Sequence, residues 1–449
     1  MRVAASLVAM LAVSACGIPD TRPQADLSVQ SRAISSAVLF GTPRPYAPSR
    51  SNTQIAQDIL ELGFRLESGR SIPQFSRFEG PVALRLTGRL PPLAEIETDR
   101  LIARLRSEAG LDIRRVTGEA QITVEFVPRT VMRRVVPEAS CFVLPNVASW
   151  EEFINDPRGR HLDWTEIARR EKALVVAPAD STVQEMRDCL HEEVAQALGP
   201  LNDLYRIGET VMNDDNFQTA LTGFDMLVLK VWNHPSLQPG MTRAEVGSRL
   251  PAILAQLNPR RSSDASVPLD PIPTPRIWTD TIENSLSAST RRRSFAFAQA
   301  ALRIALDEGW QDERLAFSLF LAARFAPPGQ GEEALDALIS AASIYSIRPG
   351  GEVPRAHVEL HLAAQALAAG QYAIVLRLTD NAMEPARRSE NGALLSSLML
   401  LRAQALERMG RMTEAETLRS DALPFALFGF GSEQEANSRR AEIAALIQR

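Results

Sequence analysis

Thr182-Val-Gln-Glu-Met-Arg-Asp-Cys-Leu-His-Glu-Glu-Val-Ala-Gln-Ala-Leu-Gly-Pro-Leu-Asn-Asp203 reads as a helix with a defined start and a defined stop. Thr182 and Glu185 stand three residues apart, the spacing at which each side chain caps the other's backbone N–H. Gly199 and Pro200 follow the last apolar residue, Leu198, and neither continues a helix. Just upstream, Ala173-Leu-Val-Val-Ala177 is a short continuous apolar run, the pattern of a strand buried on both faces. Further back, Val82, Leu84 and Leu86 alternate with polar or small residues, as do Ile122, Val124 and Phe126, so both stretches predict half-buried strands. Between them, residues 94–109 place Ile96, Leu101, Ile102 and Leu105 at helical spacing before Gly110. Downstream, Thr222-x-x-Asp225 and Thr242-x-x-Glu245 repeat the capping pattern and open two more helices. The order predicts an α+β domain over residues 51–256.

Beyond it, residues 257–285 are rich in Pro, Ser and Asp and read as a linker. From 286 to 449 the composition shifts to Ala and Leu with helical periodicity. Leu362-Ala-Ala-Gln-Ala-Leu-Ala-Ala-Gly370 and Leu401-Arg-Ala-Gln-Ala-Leu-Glu-Arg-Met-Gly410 share a frame, each followed by an amphipathic second helix, and an earlier pair is expected over 294–346. This pattern resembles tetratricopeptide-type repeats, degenerate and with a period of about 40 rather than about 34 residues. Such stacks present a groove for peptides or partner proteins; a plain helical bundle is the alternative. His357 and His361 share a helical face, as two zinc ligands would, but no third ligand stands nearby and packing is the expected role. Arg291-Arg292-Arg293 reads as a solvated helix start.

The composition excludes broad classes. Hydrophobic residues make up 45% and charged residues 23%, values of a protein with sizeable cores rather than a disordered or multi-span membrane chain. A formal net charge of -5 argues against a nucleic-acid partner. All but two of the 49 basic residues are arginine (Lys172 and Lys230 are the exceptions), which is read as codon bias rather than chemistry.

At the start, Met-Arg precedes a short apolar stretch from Val3 to Val13, the pattern of a signal peptide over 1–15 and too short to span a bilayer. It ends Val13-Ser-Ala-Cys16, which looks like the lipobox of bacterial lipoproteins. That resemblance implies a lipid-modified Cys16 as the first mature residue, a lipid anchor in the cell envelope facing the periplasm, and, with Gly17 following, the outer membrane rather than the inner. Residues 16–50 carry five prolines and read as a flexible tether. Export leaves Cys141 and Cys189 in an oxidising compartment. A disulfide between them would close a loop of 48 residues and stabilise the fold by about 4 kcal/mol; a pair of free thiols is the alternative.

The framing of 189–203 resembles the metzincin group of zinc peptidases, whose signature is His-Glu-x-x-His-x-x-Gly-x-x-His. On this resemblance, aligned on Gly199, the metal positions fall on Glu192, Gln196 and Asn202, the general-base position on Glu193, and Pro239-Gly240-Met241 looks like the methionine turn. The chain is also similar to an uncharacterised bacterial family, domain of unknown function 2927. Glu192 to Leu198 fit its core, Asn202-Asp203, Asn213-Asp214 and Pro239-Gly240-Met241 fit its later motifs, and Phe75-Ser-Arg-Phe-Glu-Gly-Pro81 fits its start. Together these imply a zincin-like domain with substituted ligands.

Zinc is usually held by imidazole, thiolate or carboxylate, and the amides of Gln196 and Asn202 suit it poorly. An off-register reading that starts His-Glu at His191 fails because position 195 is alanine. His161 and His234 are scattered and expected to be ordinary surface or core residues. Asn213-Asp214-Asp215-Asn216 resembles part of a calcium loop but lacks EF-hand spacing, so a turn is expected. The expected function is therefore a membrane-anchored envelope protein with a non-catalytic, peptidase-like cleft and no cofactor. Its expected partners are lipid through Cys16 and envelope proteins or peptides through the helical repeats. Two alternatives remain: a metal-dependent hydrolase with an unusual Glu192/Gln196/Asn202 site and Glu193 as base, and a pure assembly scaffold.

Overall fold

The computed structural model describes residues 33–43, 46–137, 139–213, 217–263 and 273–447. The expected signal peptide, Cys16 and the residues Asp214 to Asn216 lie outside the described residues. The described chain divides into two compact units. One comprises residues 46–204 and 209–273, the other 33–43, 205–208 and 274–447.

In chain order the first helix is α1 (Ser36–Phe40), which belongs to the second unit. The first unit opens with α2 (Asn52–Gly63), whose cap Ser51 makes a reciprocal box with Gln54. There follow β1 (Val82–Gly88), α3 (Ala94–Glu108), β2 (Ile113–Arg115), β3 (Ile122–Val127), α4 (Arg129–Val135), β4 (Phe142–Pro145), α5 (Trp150–Asn155), β5 (Ala173–Pro178), α6 (Val183–Leu198), α7 (Gly223–Trp232) and α8 (Arg243–Leu257). The five strands form one sheet in the order β2-β1-β3-β5-β4. β2, β1, β3 and β5 run parallel, while β4 is antiparallel to β5 in a register that sets Val143 opposite Val175. Every residue of β5 is buried, as its uninterrupted apolar run requires of a strand flanked on both edges and covered on both faces. α6 packs on β5 and β4, and α3 packs on α6.

The capping signals at 182, 222 and 242 all form. Thr182 Oγ1 accepts from Glu185 N at 3.1 Å while Glu185 Oε2 accepts from Thr182 N at 3.0 Å, and the other two pairs repeat the arrangement. α3 differs from its expected pattern at one place, because Ile96 is exposed and the buried stripe runs through Thr98, Leu101, Ile102 and Leu105. Trp232 is buried against Phe75, ring centroids 4.6 Å apart, and its indole N–H donates to Ser76 O at 3.0 Å.

The second unit is all helix: α9 (Arg276–Ser287), α10 (Arg291–Asp307), α11 (Glu313–Phe325), α12 (Gly331–Ser346), α13 (Glu352–Ala368), α14 (Tyr372–Arg388), α15 (Gly392–Arg408), α16 (Met412–Phe430) and α17 (Glu433–Ala445). Each of α9 to α16 packs on the next. α13 and α15 start 40 residues apart, at 352 and 392, as do α14 and α16, at 372 and 412. The turns inside these two pairs need a left-handed residue, supplied by Gly370 (φ 71°) and Gly410 (φ 77°). α10, α12 and α14 are amphipathic, each with one buried stripe such as Val375, Thr379, Ala382 and Ala386. α13 and α15 are buried nearly all round.

Two predicted boundaries differ from what is found. The linker of 257–285 overlaps α9, whose Trp278 is buried and donates to Ser318 Oγ at 2.9 Å, so the helical unit starts earlier than residue 286. The tether of 16–50 ends in ordered structure. Phe40 packs its ring on Phe425 and Phe428 in the second unit, and in the first Arg50 pairs with buried Asp58 at 2.7 Å. Arg291 also differs from a merely solvated residue: its guanidinium donates to Arg324 O and Ala326 O, the last carbonyls of α11.

Candidate functional site

α6 carries the constellation. Glu192 is half-buried, Glu193 and Gln196 are buried, and Asn202, four residues beyond the helix end, is buried as well. The disulfide between Cys141 and Cys189 ties α6 to the chain entering β4, with Cα atoms 5.9 Å apart. It brings Cys141 to the two carboxylates: Cys141 Sγ and oxygens of Glu192 and Glu193 all lie within 4.8 Å of one another. Sequence reasoning paired the cysteines without placing a sulfur beside Glu192 and Glu193, because β4 is too short to announce itself.

The two amides at expected metal positions have protein partners. Gln196 Nε2 donates to Asp203 Oδ2 at 3.5 Å, and Asn202 Nδ2 donates to Glu61 O at 3.2 Å. The second bond, with Leu201 N donating to Leu62 O at 3.0 Å, fastens the segment after Gly199 to the end of α2. Gly199 does not take the left-handed conformation that glycine often supplies after a helix. Its φ is -160°, and its role is room, since a Cβ there would press on the Trp232 indole at 3.2–3.4 Å. Met241 is tied to the segment of residues 75–81: Phe75 N donates to Met241 O at 2.7 Å, and Met241 Sδ accepts from Gln238 N.

Sequence reasoning missed Arg170. Its buried guanidinium donates to Gln196 O and Ala197 O, both at 2.7 Å, and to Gly199 O, while its Nε donates to Ser76 Oγ at 3.1 Å. It donates to carbonyls at and just past the end of α6, where intrahelical donors run out; Gln196 O also accepts from Gly199 N at 3.2 Å. Burial pulls its pKa down to about 9. His191 is also committed to structure. Its Nδ1 accepts from Leu221 N at 2.9 Å, and burial together with Arg187, Arg104 and Arg100 holds its pKa well below the usual range, so it stays neutral. His161 sits 3.8 Å from Asp156, and His234 Nδ1 accepts from Ser236 N at 3.2 Å.

A second polar group lies at the loop before α7. Asp225 is fully buried and accepts from Thr222 N, Thr210 Oγ1 and Val211 N, and Glu209 accepts from the Ser49 N–H and hydroxyl. Burial raises both carboxyl pKa values. These acids hold the loop through those bonds.

Residues 52–252 match a family model described as a protein of unknown function, DUF2927. The match contains Glu192, Glu193, Gln196 and Asn202, together with both cysteines of the disulfide. No curated protein and no solved structure matches the chain significantly. Within the DUF2927 region, the available chemistry is that of two acids beside a disulfide, with carboxamides already bonded to protein groups. In the disulfide form Cys141 offers no thiolate, and one turn of α6 plus Asn202 supplies no imidazole.

Proposed function

We propose that the chain is a membrane-anchored envelope lipoprotein whose DUF2927 region is a metzincin-like domain with a non-catalytic cleft, and whose tetratricopeptide-like helices bind envelope proteins or peptides. One observation carries the reading of the cleft. At two of the three positions where a metzincin would hold metal, the side chains are carboxamides engaged by Asp203 and Glu61. A zinc peptidase needs a Lewis acid next to its base to generate the attacking water. With Gln196 and Asn202 as partners, Glu192 alone would have to hold that ion, which is a thin donor set. Glu193 then contributes charge and hydrogen bonding to a bound polypeptide or wall fragment rather than proton transfer.

The test uses the full chain with Cys16→Ser, beside the same protein carrying Glu193→Ala. Both are incubated with mixed peptides and with peptidoglycan, and products are read by mass spectrometry. We expect no product from either protein. Product release by the first protein that disappears in Glu193→Ala would establish the hydrolase reading in its place.

A further inference from the structure

We propose that the Cys141–Cys189 disulfide is a redox lock on a cation site: once it is reduced, Cys141, Glu192 and Glu193 bind one zinc-class divalent ion. The three donors come from two elements and already converge, one oxygen or sulfur from each lying within 4.8 Å of the others. Ligand atoms around a tetrahedral zinc stand about 3.5 Å apart, given metal–ligand bonds of about 2.0–2.3 Å, so the cluster needs an inward shift of about an ångström. Cys189, Glu192 and Glu193 occupy positions i, i+3 and i+4 of α6 and so share one face. The reaction that frees Cys141 thus frees a second sulfur on the face that carries both acids. Thiolate and carboxylate are the donor types that zinc accepts, in contrast to the carboxamides of Gln196 and Asn202. Both acids have partners within the folded chain, and the ion competes for them.

The chemistry balances with a dithiol as reductant. Its thiolate attacks Cys141 Sγ, the more exposed of the two sulfurs by residue burial, and Cys189 leaves as thiolate. The reductant's second thiol then attacks its own bound sulfur and releases Cys141. Two electrons and two protons pass to the protein, and the dithiol becomes a cyclic disulfide. Cys141 loses its proton when the ion binds, so affinity rises with pH.

The experiment compares the oxidised full chain carrying Cys16→Ser with the same chain reduced by a phosphine, followed by equilibrium dialysis against zinc and by cobalt substitution. We expect no zinc on the oxidised protein, one per chain on the reduced protein, and a thiolate-to-cobalt charge-transfer band. Cys189→Ser and Cys141→Ser both lack the disulfide and share any loss of stability, but Cys189→Ser alone keeps the ligand. Cys189→Ser should bind zinc without reductant and at least about tenfold more tightly than Cys141→Ser, and Glu192→Gln or Glu193→Gln should weaken the reduced wild type by about tenfold. Equal binding by the two serine variants would overturn the proposal. So would zinc on the oxidised chain at the same affinity, or a reduced chain that takes up no zinc, whether it stays folded or not.

Discussion

Arg170 shows how much one side chain can hold in place. Three carbonyls at the end of α6 take their donors from it, and the Trp164 ring lies 4.8 Å from its guanidinium carbon. Arg170→Met keeps much of the volume but removes a charged donor from these buried acceptors, of which Gln196 O keeps only the Gly199 N–H, so a loss of about 3 kcal/mol is expected in urea unfolding. Arg170→Lys should recover only part of this, because an ammonium cannot reach the same fork of acceptors. His361 makes a different prediction. It is buried with its ring 5.4 Å from that of Phe320, and burial, followed by the charges of Arg324 and Arg439, His357 and Arg291, brings its pKa down to about 3. In the unfolded chain the value returns to about 6.5. Between these limits the unfolded state binds more protons. The stability contribution is therefore complete above about pH 6.5 and is lost as pH falls towards 3, by up to about 1.4 kcal/mol per pH unit. His361→Gln should flatten that part of a stability-against-pH curve measured by denaturant midpoint. If the variant and the parent lose stability in parallel between pH 6.5 and 4, the histidine is not the group responsible. The role of Arg170 was not legible in the sequence, because it lies in an irregular segment with no periodicity to mark it; for His361 packing was the expected role, but its ring partner Phe320 belongs to the folded chain.

At the scale of elements, close approach makes a sharper prediction than propensity does. Gly429 lies near the end of α16, where a Cβ would collide with the backbone nitrogen and Cα of Ala393 at the start of α15. Gly429→Ala must push the two helices apart and should cost about 2 kcal/mol in thermal or denaturant unfolding. Gly410→Ala is the useful comparison. Its Cβ meets nothing within 4 Å, so only the left-handed backbone (φ 77°) is penalised, by about 1 kcal/mol. A smaller loss at 429 than at 410 would mean that α15 and α16 slide apart without strain. The elements that sequence reasoning found are those with a strong local signal: the alternating strands β1 and β3, the apolar run of β5, the capped starts of α6, α7 and α8, and the repeated frame of α13 and α15. β2 and β4 were missed because three or four residues are too few to show a period. The loss of β4 mattered most, since the chain entering it carries Cys141. α9 was assigned to the linker because the prolines around it outweighed Trp278 and Ile282, which are buried one turn apart. The candidate site was half legible: the spacing of Glu192, Glu193, Gln196 and Asn202 could be read in line, whereas the bonds of Gln196 to Asp203 and of Asn202 to Glu61 belong to the folded chain.

For the whole molecule, the proposal to test is attachment to a membrane. Among the described residues no helix is long and apolar enough to cross one. In the proposed lipoprotein, Cys16 carries the attachment, and several acyl chains at one residue hold far more firmly than a single chain does. The other two cysteines are joined to each other, so on this proposal Cys16 is the acylation site. Cells fed an alkyne-tagged fatty acid should label the parent chain and sediment it with the membranes. Cys16→Ser should abolish the label and move the protein to the soluble fraction, while its Cys141–Cys189 bond and thermal midpoint stay unchanged. Cys141→Ser should remain labelled even though it loses the disulfide and about 4 kcal/mol of stability. The two variants separate the anchor from the fold: a serine at 16 that leaves label and sedimentation intact would rule out lipid attachment at that residue, and the localisation proposed for the cleft and the helical unit would fall with it.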